Sequence, residues 1–245
     1  MARTVEDVRI LFEVLAGHDL ADPFSAPVEL RRPEVEGVRI GVMEGWGGVP
    51  VDPEIVAAVR RAARLLEECG FPVDAFTPRG MERATQVWDF FFNVVSDPLK
   101  RQIIAADPSL VHWTGTELLQ EPPAHPTGVD VVTQLAVRDK LRVAFFRQMA
   151  STPVLLLPVC AVPAFFPRAR NWTVGGRSIG LLDAMSCVTP FNLFGMPGLT
   201  VPMGFTSDRL PIGVQLAGVP YSEELLLALG ERLEQARGPY PCAFS

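Results

Sequence analysis

The chain has 245 residues, of which 48% are hydrophobic and 20% are charged, so it can bury the core of a globular protein. Its net charge of -6 disfavours binding to nucleic acid or to an anionic membrane surface. No apolar run reaches the roughly 20 residues that span a bilayer. The four cysteines lack the C-x-x-C spacing of a zinc site or a disulfide framework, so we expect a cytoplasmic protein.

The N-terminal segment is predicted to form a helix followed by a linker. Apolar residues recur at helical spacing from Val5 onwards, and Thr4 is placed to cap the helix. We therefore expect a helix within residues 1–17, a proline-rich linker over 18–36 and an α/β body over 37–245.

Beyond the linker, short apolar strands alternate with amphipathic helices. A strand at 38–43, a helix capped by Asp52 and an extended segment at 72–76 predict a βαβ unit. The remaining predicted elements are helices at 81–105 (broken or kinked at Pro98) and 130–150, a strand at 154–157, a short helix at 181–191, strands at 199–203 and 212–216, and a closing helix at 222–236. This order indicates an α/β fold in which a mixed twisted sheet is flanked by helices.

One pentapeptide, Gly176-Arg177-Ser178-Ile179-Gly180, satisfies the G-x-S-x-G pattern of a nucleophile elbow. That elbow needs a strand before the serine, a helix after it, and a histidine later in the chain. All three histidines precede Ser178 and the residues before it are typical of a turn, so we interpret the motif as a glycine-flanked loop.

The sequence Gly45-Trp46-Gly47-Gly48 lies between a predicted strand and a predicted helix, as phosphate-binding loops do. It lacks the lysine of a Walker loop, and Asp52 at the helix cap would repel an anion. We interpret it as a strand-to-helix connection.

An aromatic run places Trp88, Phe91 and Phe92 on one helical face. Such a face can line an apolar substrate channel or belong to the core, and the core interpretation is the more common one.

Three segments, in this order, resemble the amidase signature family: MARTVEDVRILFEVLAGHDLADPF at 1–24, PVLLLPVCAVPAF at 153–165, and FNLFGMPGLTVPMGFTSDRLPIGVQLAG at 191–218. The likeness covers nearly the whole chain. It implies a central twisted sheet covered by helices, and hydrolysis of a carboxylic amide through a serine acyl-enzyme without a metal or organic cofactor.

In that family a segment similar to residues 1–24 follows the catalytic residues, which are the nucleophilic serine, a second serine and an uncharged lysine. This chain has only Lys100 and Lys140, both on predicted helices. Ser96 lies one turn from Lys100, but Pro98 stands between them and no Gly-rich loop accompanies the pair. The resemblance therefore implies the C-terminal half of an amidase, truncated before its catalytic part, with no catalytic residue of its own and no activity alone.

The resemblance also places the segment around Thr189 against the substrate pocket, where Asn192 and Gln215 are expected to be buried and to satisfy backbone groups. The candidate substrate-pocket residues are Trp88, Phe91, Phe92, Thr189 and Asn192. The expected partners are a small amide in the full-length form, and an N-terminal catalytic half or a second copy of the chain. The alternative is a non-enzymatic α/β interaction module or the non-catalytic half of a split amidase.

Overall fold

The computed structural model describes residues 1–117, 119 and 121–241. Its strands are β1 (Ile40–Val42), β2 (Val73–Ala75), β3 (Val154–Pro158), β4 (Asn171–Val174), β5 (Arg177–Gly180), β6 (Gly198–Phe205) and β7 (Pro211–Gly218). Its α-helices are α1 (Val5–Leu15), α2 (Pro53–Glu68), α3 (Ala84–Asp89), α4 (Asp97–Ala106), α5 (Trp113–Glu117), α6 (Gly128–Gln148), α7 (Leu181–Ala184), α8 (Thr189–Phe194) and α9 (Glu223–Arg237). A π-helical turn at Phe90–Val94 joins α3 to the segment before α4, and a 3-10 turn follows α4 at Pro108–Leu110.

Within the described residues, five strands form a mixed sheet in the order β2-β1-β3-β7-β6. Strand β1 runs parallel to β2 and β3, whereas β7 runs antiparallel to β3 and β6. Strands β4 and β5 form a separate antiparallel hairpin. The prediction of an α/β fold with a mixed sheet flanked by helices is confirmed.

The helices pack on the two faces of this sheet. On one face α1, α2 and α9 contribute to a core with Leu199, Val201 and Met203 of β6. On the other face α3, α6 and α8 surround Phe145 and Phe194. All five residues of β3 are buried, as expected for a central strand covered on both faces.

Predicted helix starts are confirmed where a side chain caps the backbone. Thr4 Oγ1 accepts a hydrogen bond of 3.0 Å from Asp7 N–H, and Asp52 Oδ1 accepts one of 2.8 Å from Glu54 N–H. Each cap satisfies an N–H group that the first turn leaves unpaired, so each fixes where its helix begins. No helix of the described part is long and apolar enough to cross a membrane.

The structure corrects three of the predicted elements. The helix expected at 81–105 is interrupted by the π turn, and Pro98 lies in the first turn of α4, where its missing N–H costs nothing. The helix expected at 181–191 is split into α7 and α8. We expected a loop around Ser178, and this prediction is wrong, because Ser178 lies in strand β5 of a hairpin. The turn of that hairpin contains Gly175 and Gly176, which both have positive φ angles.

Candidate functional site

The aromatic residues singled out from the sequence form a cluster at the junction of α3 and the π turn. The Trp88 and Phe92 rings stack with centroids 5.1 Å apart, and Arg138 of α6 lies 6.0 Å from the Phe91 ring centroid. Phe92 is 43% exposed, whereas Trp88 and Phe91 are half-buried against the core. The cluster thus belongs to the core on one side and presents an apolar surface on the other. Within the described part, the buried Trp88 Nε1 donates no hydrogen bond.

The π turn brings Ser96 and Lys100 to the same acceptor. Ser96 Oγ donates to the Phe92 carbonyl at 2.6 Å, and Lys100 Nζ donates to that carbonyl at 3.1 Å and to Asn93 Oδ1 at 3.5 Å. A serine nucleophile must donate its proton to a base. Here the Ser96 hydroxyl and the Lys100 amine both donate to the Phe92 carbonyl oxygen. The pair is therefore not arranged as a serine nucleophile that donates its proton to a lysine base. The other lysine, Lys140, is exposed on α6.

Two of the predicted pocket residues lie on α8, and they differ in burial. Thr189 is buried, and its hydroxyl donates to the Ser186 carbonyl at 3.2 Å. Asn192, which we expected to be buried, is exposed, because its apolar neighbours Phe191, Leu193 and Phe194 occupy the sides of α8 that pack into the core. Helix α8 itself packs against α3, so Thr189 lies in an element that contacts the aromatic cluster.

Gln215 was also expected to be buried and to satisfy backbone groups, and this is confirmed. Its Nε2 donates to the Pro158 carbonyl at 2.8 Å and to the Cys187 carbonyl at 2.9 Å. The side chain therefore ties β7 to the end of β3 and to the segment before α8.

A cleft of about 400 Å³ opens beside α3 and contains none of the five predicted pocket residues. Trp46, Met81, Thr85, Asp183 and Ser186 line it. In the sequence, Trp46 stood out only as part of a candidate phosphate loop. The Trp46 ring instead packs edge-on against two core rings, at centroid distances of 5.7 and 6.3 Å. No local motif marks this cleft, since its walls come from three separate segments of the chain.

Two cysteines near this region, the buried Cys187 and the partly buried Cys160, are not activated thiols. Burial raises the pKa of the Cys187 thiol to about 12, and it also raises the pKa of the Cys160 thiol. A nucleophilic cysteine needs a lowered pKa to form its thiolate at neutral pH. Both thiols therefore stay protonated.

The mixed sheet with helices on both faces is that of an α/β domain. A family model described as Amidase matches residues 1–227, which is most of the chain. The chain therefore belongs to the amidase signature family, as the three sequence segments indicated.

The chain is similar to several curated proteins of this family. It is 28% identical to the acylamidase of Rhodococcus erythropolis, with 97% of the chain and 51% of that protein covered. It is 29% identical to the 6-aminohexanoate-cyclic-dimer hydrolase of Paenarthrobacter ureafaciens, with 96% of the chain and 52% of that protein covered. It is 28% identical to the 2-amino-5-chloromuconic acid deaminase of Comamonas testosteroni, with 97% of the chain and 50% of that protein covered. The chain thus spans about half the length of the curated relatives it matches.

The solved structures agree with this relation. A 6-aminohexanoate cyclic dimer hydrolase in complex with its substrate is similar to the chain with a TM-score of 0.77 and 25% identity. The match covers 96% of this chain and 54% of that hydrolase. The described fold is accordingly that of about half of an amidase signature enzyme.

Proposed function

We propose that this chain forms the non-nucleophilic part of an amidase that hydrolyses the C–N bond of a small carboxylic amide through a serine acyl-enzyme. Membership of the amidase family supports the reaction class. The names of two relatives, an acylamidase and a cyclic-dimer hydrolase, support a small amide as the substrate. In this proposal the serine nucleophile and its lysine base belong to the part of the relatives that the chain does not span.

The observation that carries this proposal is the geometry of Ser96 and Lys100. Their polar atoms both donate to the Phe92 carbonyl, so the lysine amine is not positioned to take the serine proton. Lys140 is exposed, and the raised pKa values of Cys160 and Cys187 keep both thiols protonated at neutral pH, so none of these three residues offers a second nucleophile and base. The chain alone is therefore expected to hydrolyse no amide above background.

The role left to this chain is to shape and orient the substrate. In the proposal, the half-buried rings of Trp88 and Phe91 and the exposed ring of Phe92 form an apolar wall, as substrate pockets require. Thr189 belongs to α8, which packs against α3 beside that wall, and Asn192 lies at the outer surface of the same helix.

The test is an amide hydrolysis assay on the purified chain, with an aryl anilide as substrate and a fluorophosphonate as a serine-directed label. We expect neither turnover nor labelling, and identical traces for the wild type and the variants Ser96→Ala and Lys100→Met. Turnover that the label abolishes, and that Ser96→Ala removes, would contradict the proposal, because it would place the nucleophile within this chain.

A further inference from the structure

A cleft of about 340 Å³ lies between α2 and the end of the β6–β7 hairpin. The side chains that α2 contributes to it recur at helical spacing along one side of the helix. They are Glu54, Ala57, Ala58, Arg61 and Arg64. The facing wall consists of Gly204 and Phe205 of β6 and Ile212 of β7. The cleft is open because α2 carries two alanines where larger side chains would fill it.

This cleft carries positive charge that the described part of the chain does not neutralise. Arg61 and Arg64 are both exposed, and neither forms an ion pair or a hydrogen bond with another described residue. The carboxylate of the cleft, Glu54, is engaged by Ser207, whose N–H donates to it at 2.7 Å and whose hydroxyl donates at 3.4 Å. In a chain of net charge -6, two unpaired guanidinium groups in one cleft are a local exception. They make the cleft attractive to an anion.

A glycine on β6 lets the Arg61 side chain lie against the strand. A Cβ at Gly204 would lie 2.7 Å from Arg61 Nη2 and 3.5 Å from its Cζ. Gly204 also has a φ of 145°, which favours glycine, and it follows an irregularity in the ladder with β7. The guanidinium is therefore seated on the backbone of β6, although the side chain as a whole is exposed.

Two stacked aromatic rings lie at the same end of β6. The Phe205 and Tyr240 ring centroids are 5.0 Å apart, with an interplanar angle of 16°. The Tyr240 hydroxyl donates to the Gly204 carbonyl at 2.9 Å, which anchors this pair beside Arg61. Tyr240 covers one face of the Phe205 ring, yet Phe205 remains 40% exposed and lines the cleft. The cleft thus places a flat apolar surface next to its cations.

A third cation, Arg237, lies behind this aromatic pair. Its Cζ is 5.1 Å from the Tyr240 ring centroid, and its Nη1 donates to the Pro202 carbonyl at 2.8 Å. Burial raises the pKa of the Tyr240 hydroxyl, whereas Arg237 and Arg61 act to lower it. Both guanidinium groups therefore lie within electrostatic reach of one phenol, which confirms that the cations and the aromatic rings form a single cluster.

We propose that this cleft, here called the α2–β6 cleft, binds a small aromatic oxyanion, meaning a flat ring that bears a carboxylate or a phosphate. A guanidinium is a planar fork that can pair with two oxygens of such a group. The ring of the ligand can stack on the uncovered face of Phe205. The volume of the cleft is within the range of roughly 300 to 1,000 Å³ that is usual for small-molecule sites.

The α2–β6 cleft is separate from the surface proposed for the amide. Ala58 and Ile212 belong to the core on the face of the sheet that α1, α2 and α9 cover. Trp88 and Phe91 pack against the core on the opposite face. Binding in the cleft therefore does not depend on the proposed function, and it can be measured without turnover.

The probe is benzoate, titrated into the ¹⁵N-labelled chain and followed by heteronuclear NMR. We expect saturable shifts of the backbone amides of residues 204–206 and of the Arg61 side-chain Nε–H. Benzamide keeps the ring but removes the charge, and it should bind at least roughly tenfold more weakly. Cyclohexanecarboxylate keeps the charge without a flat ring, and inorganic phosphate has no ring, so each should bind at least roughly threefold more weakly.

Substitutions in the cleft are compared with one matched control. Arg61→Met and Arg64→Met should each weaken benzoate binding by at least roughly tenfold. Phe205→Leu should remove the preference for benzoate over cyclohexanecarboxylate. The control, Arg83→Met, makes the same change of charge at an exposed arginine outside the cleft, and it should bind benzoate like the wild type. Circular dichroism checks that each variant is folded, and the two arginine variants provide independent tests.

The outcomes decide both the site and its ligand. Tightest binding of benzoate would assign a carboxylate, and tighter binding of phenyl phosphate would assign a phosphate ester, and either result supports the cleft. The absence of saturable shifts at 204–206 would overturn the inference. Equal affinity for benzamide or for inorganic phosphate would also overturn it, because the charge or the ring would not be recognised. An equal loss in Arg83→Met would do the same, since it would show attraction to the overall charge of the protein.

Discussion

Replacing Arg9 with methionine is predicted to lower the free energy of unfolding by about 3 to 5 kcal/mol, the usual cost of removing one partner of a buried ion pair. Arg9 is 1% exposed although it begins only the second turn of α1. Its Nε donates to Glu231 Oε1 at 2.7 Å, and its Nη1 pairs with Glu224. Methionine keeps most of the apolar stem, but it leaves two carboxylates of α9 close together without a counter-charge. The loss would be a large share of the 5 to 15 kcal/mol that typically stabilises a domain.

Urea denaturation followed by circular dichroism measures this change. The matched control is Arg32→Met, because Arg32 lies 3.7 Å from Glu6 with both side chains more than half exposed, and a surface pair contributes about 0 to 1 kcal/mol. Adding Glu224→Gln and Glu231→Gln to the Arg9 variant should recover part of the loss. A loss below about 1 kcal/mol for Arg9→Met would refute the reasoning, since the carboxylates would then be solvated without the guanidinium.

Two further predictions concern packing and pH. Gly41→Ala should lower the free energy of unfolding by about 1 to 3 kcal/mol, because a Cβ there would lie within 2.9 Å of three side-chain atoms in the centre of the sheet. A Cβ added at Gly128, at the start of α6, would meet no atom within 4 Å, so Gly128→Ala should be neutral or slightly stabilising. If urea denaturation shows that Gly128→Ala lowers the free energy of unfolding as much as Gly41→Ala does, the packing argument is contradicted. The hydrogen bonds from Arg60 lower the pKa of the Glu44 carboxyl, so this pair stabilises the fold above the ordinary glutamate pKa of about 4.3 and loses that contribution as the pH falls through the lowered value. Stability measured from pH 6 to pH 3 should therefore fall less steeply for Glu44→Gln than for the wild type, and parallel curves would show that the exposed pair contributes nothing.

The features predicted correctly from the sequence are those set by local chemistry. The caps at Thr4 and Asp52 and the apolar spacing of α1 and α2 depend on residues within a few positions of one another. The short apolar run of β3 is the expected pattern of a strand buried on both faces. The family was recognisable for the same reason, because its three segments are contiguous in the chain.

The features that could not be predicted from the sequence depend on contacts between segments that are distant in the chain. The hairpin β4–β5 has few apolar residues, and its strands become stable only by pairing with each other. Asn192 and Gln215 look alike in the sequence, yet the register of β7 buries Gln215 and the turn of α8 exposes Asn192. The cleft beside Trp46 is likewise built from segments that no motif connects.

The sequence by itself determined the family and the chain order of most of the helices and strands in the main sheet. Only the tertiary structure decided the order β2-β1-β3-β7-β6 of the main sheet, because strand pairing joins segments that are far apart in the chain. It also decided that Ser96 and Lys100 donate to the same carbonyl and that Val14 and Leu15 of α1 are exposed. The first feature follows from the π turn that begins at Phe90, and the second follows from the packing of α1 against α9. Such long-range packing is not encoded in local spacing.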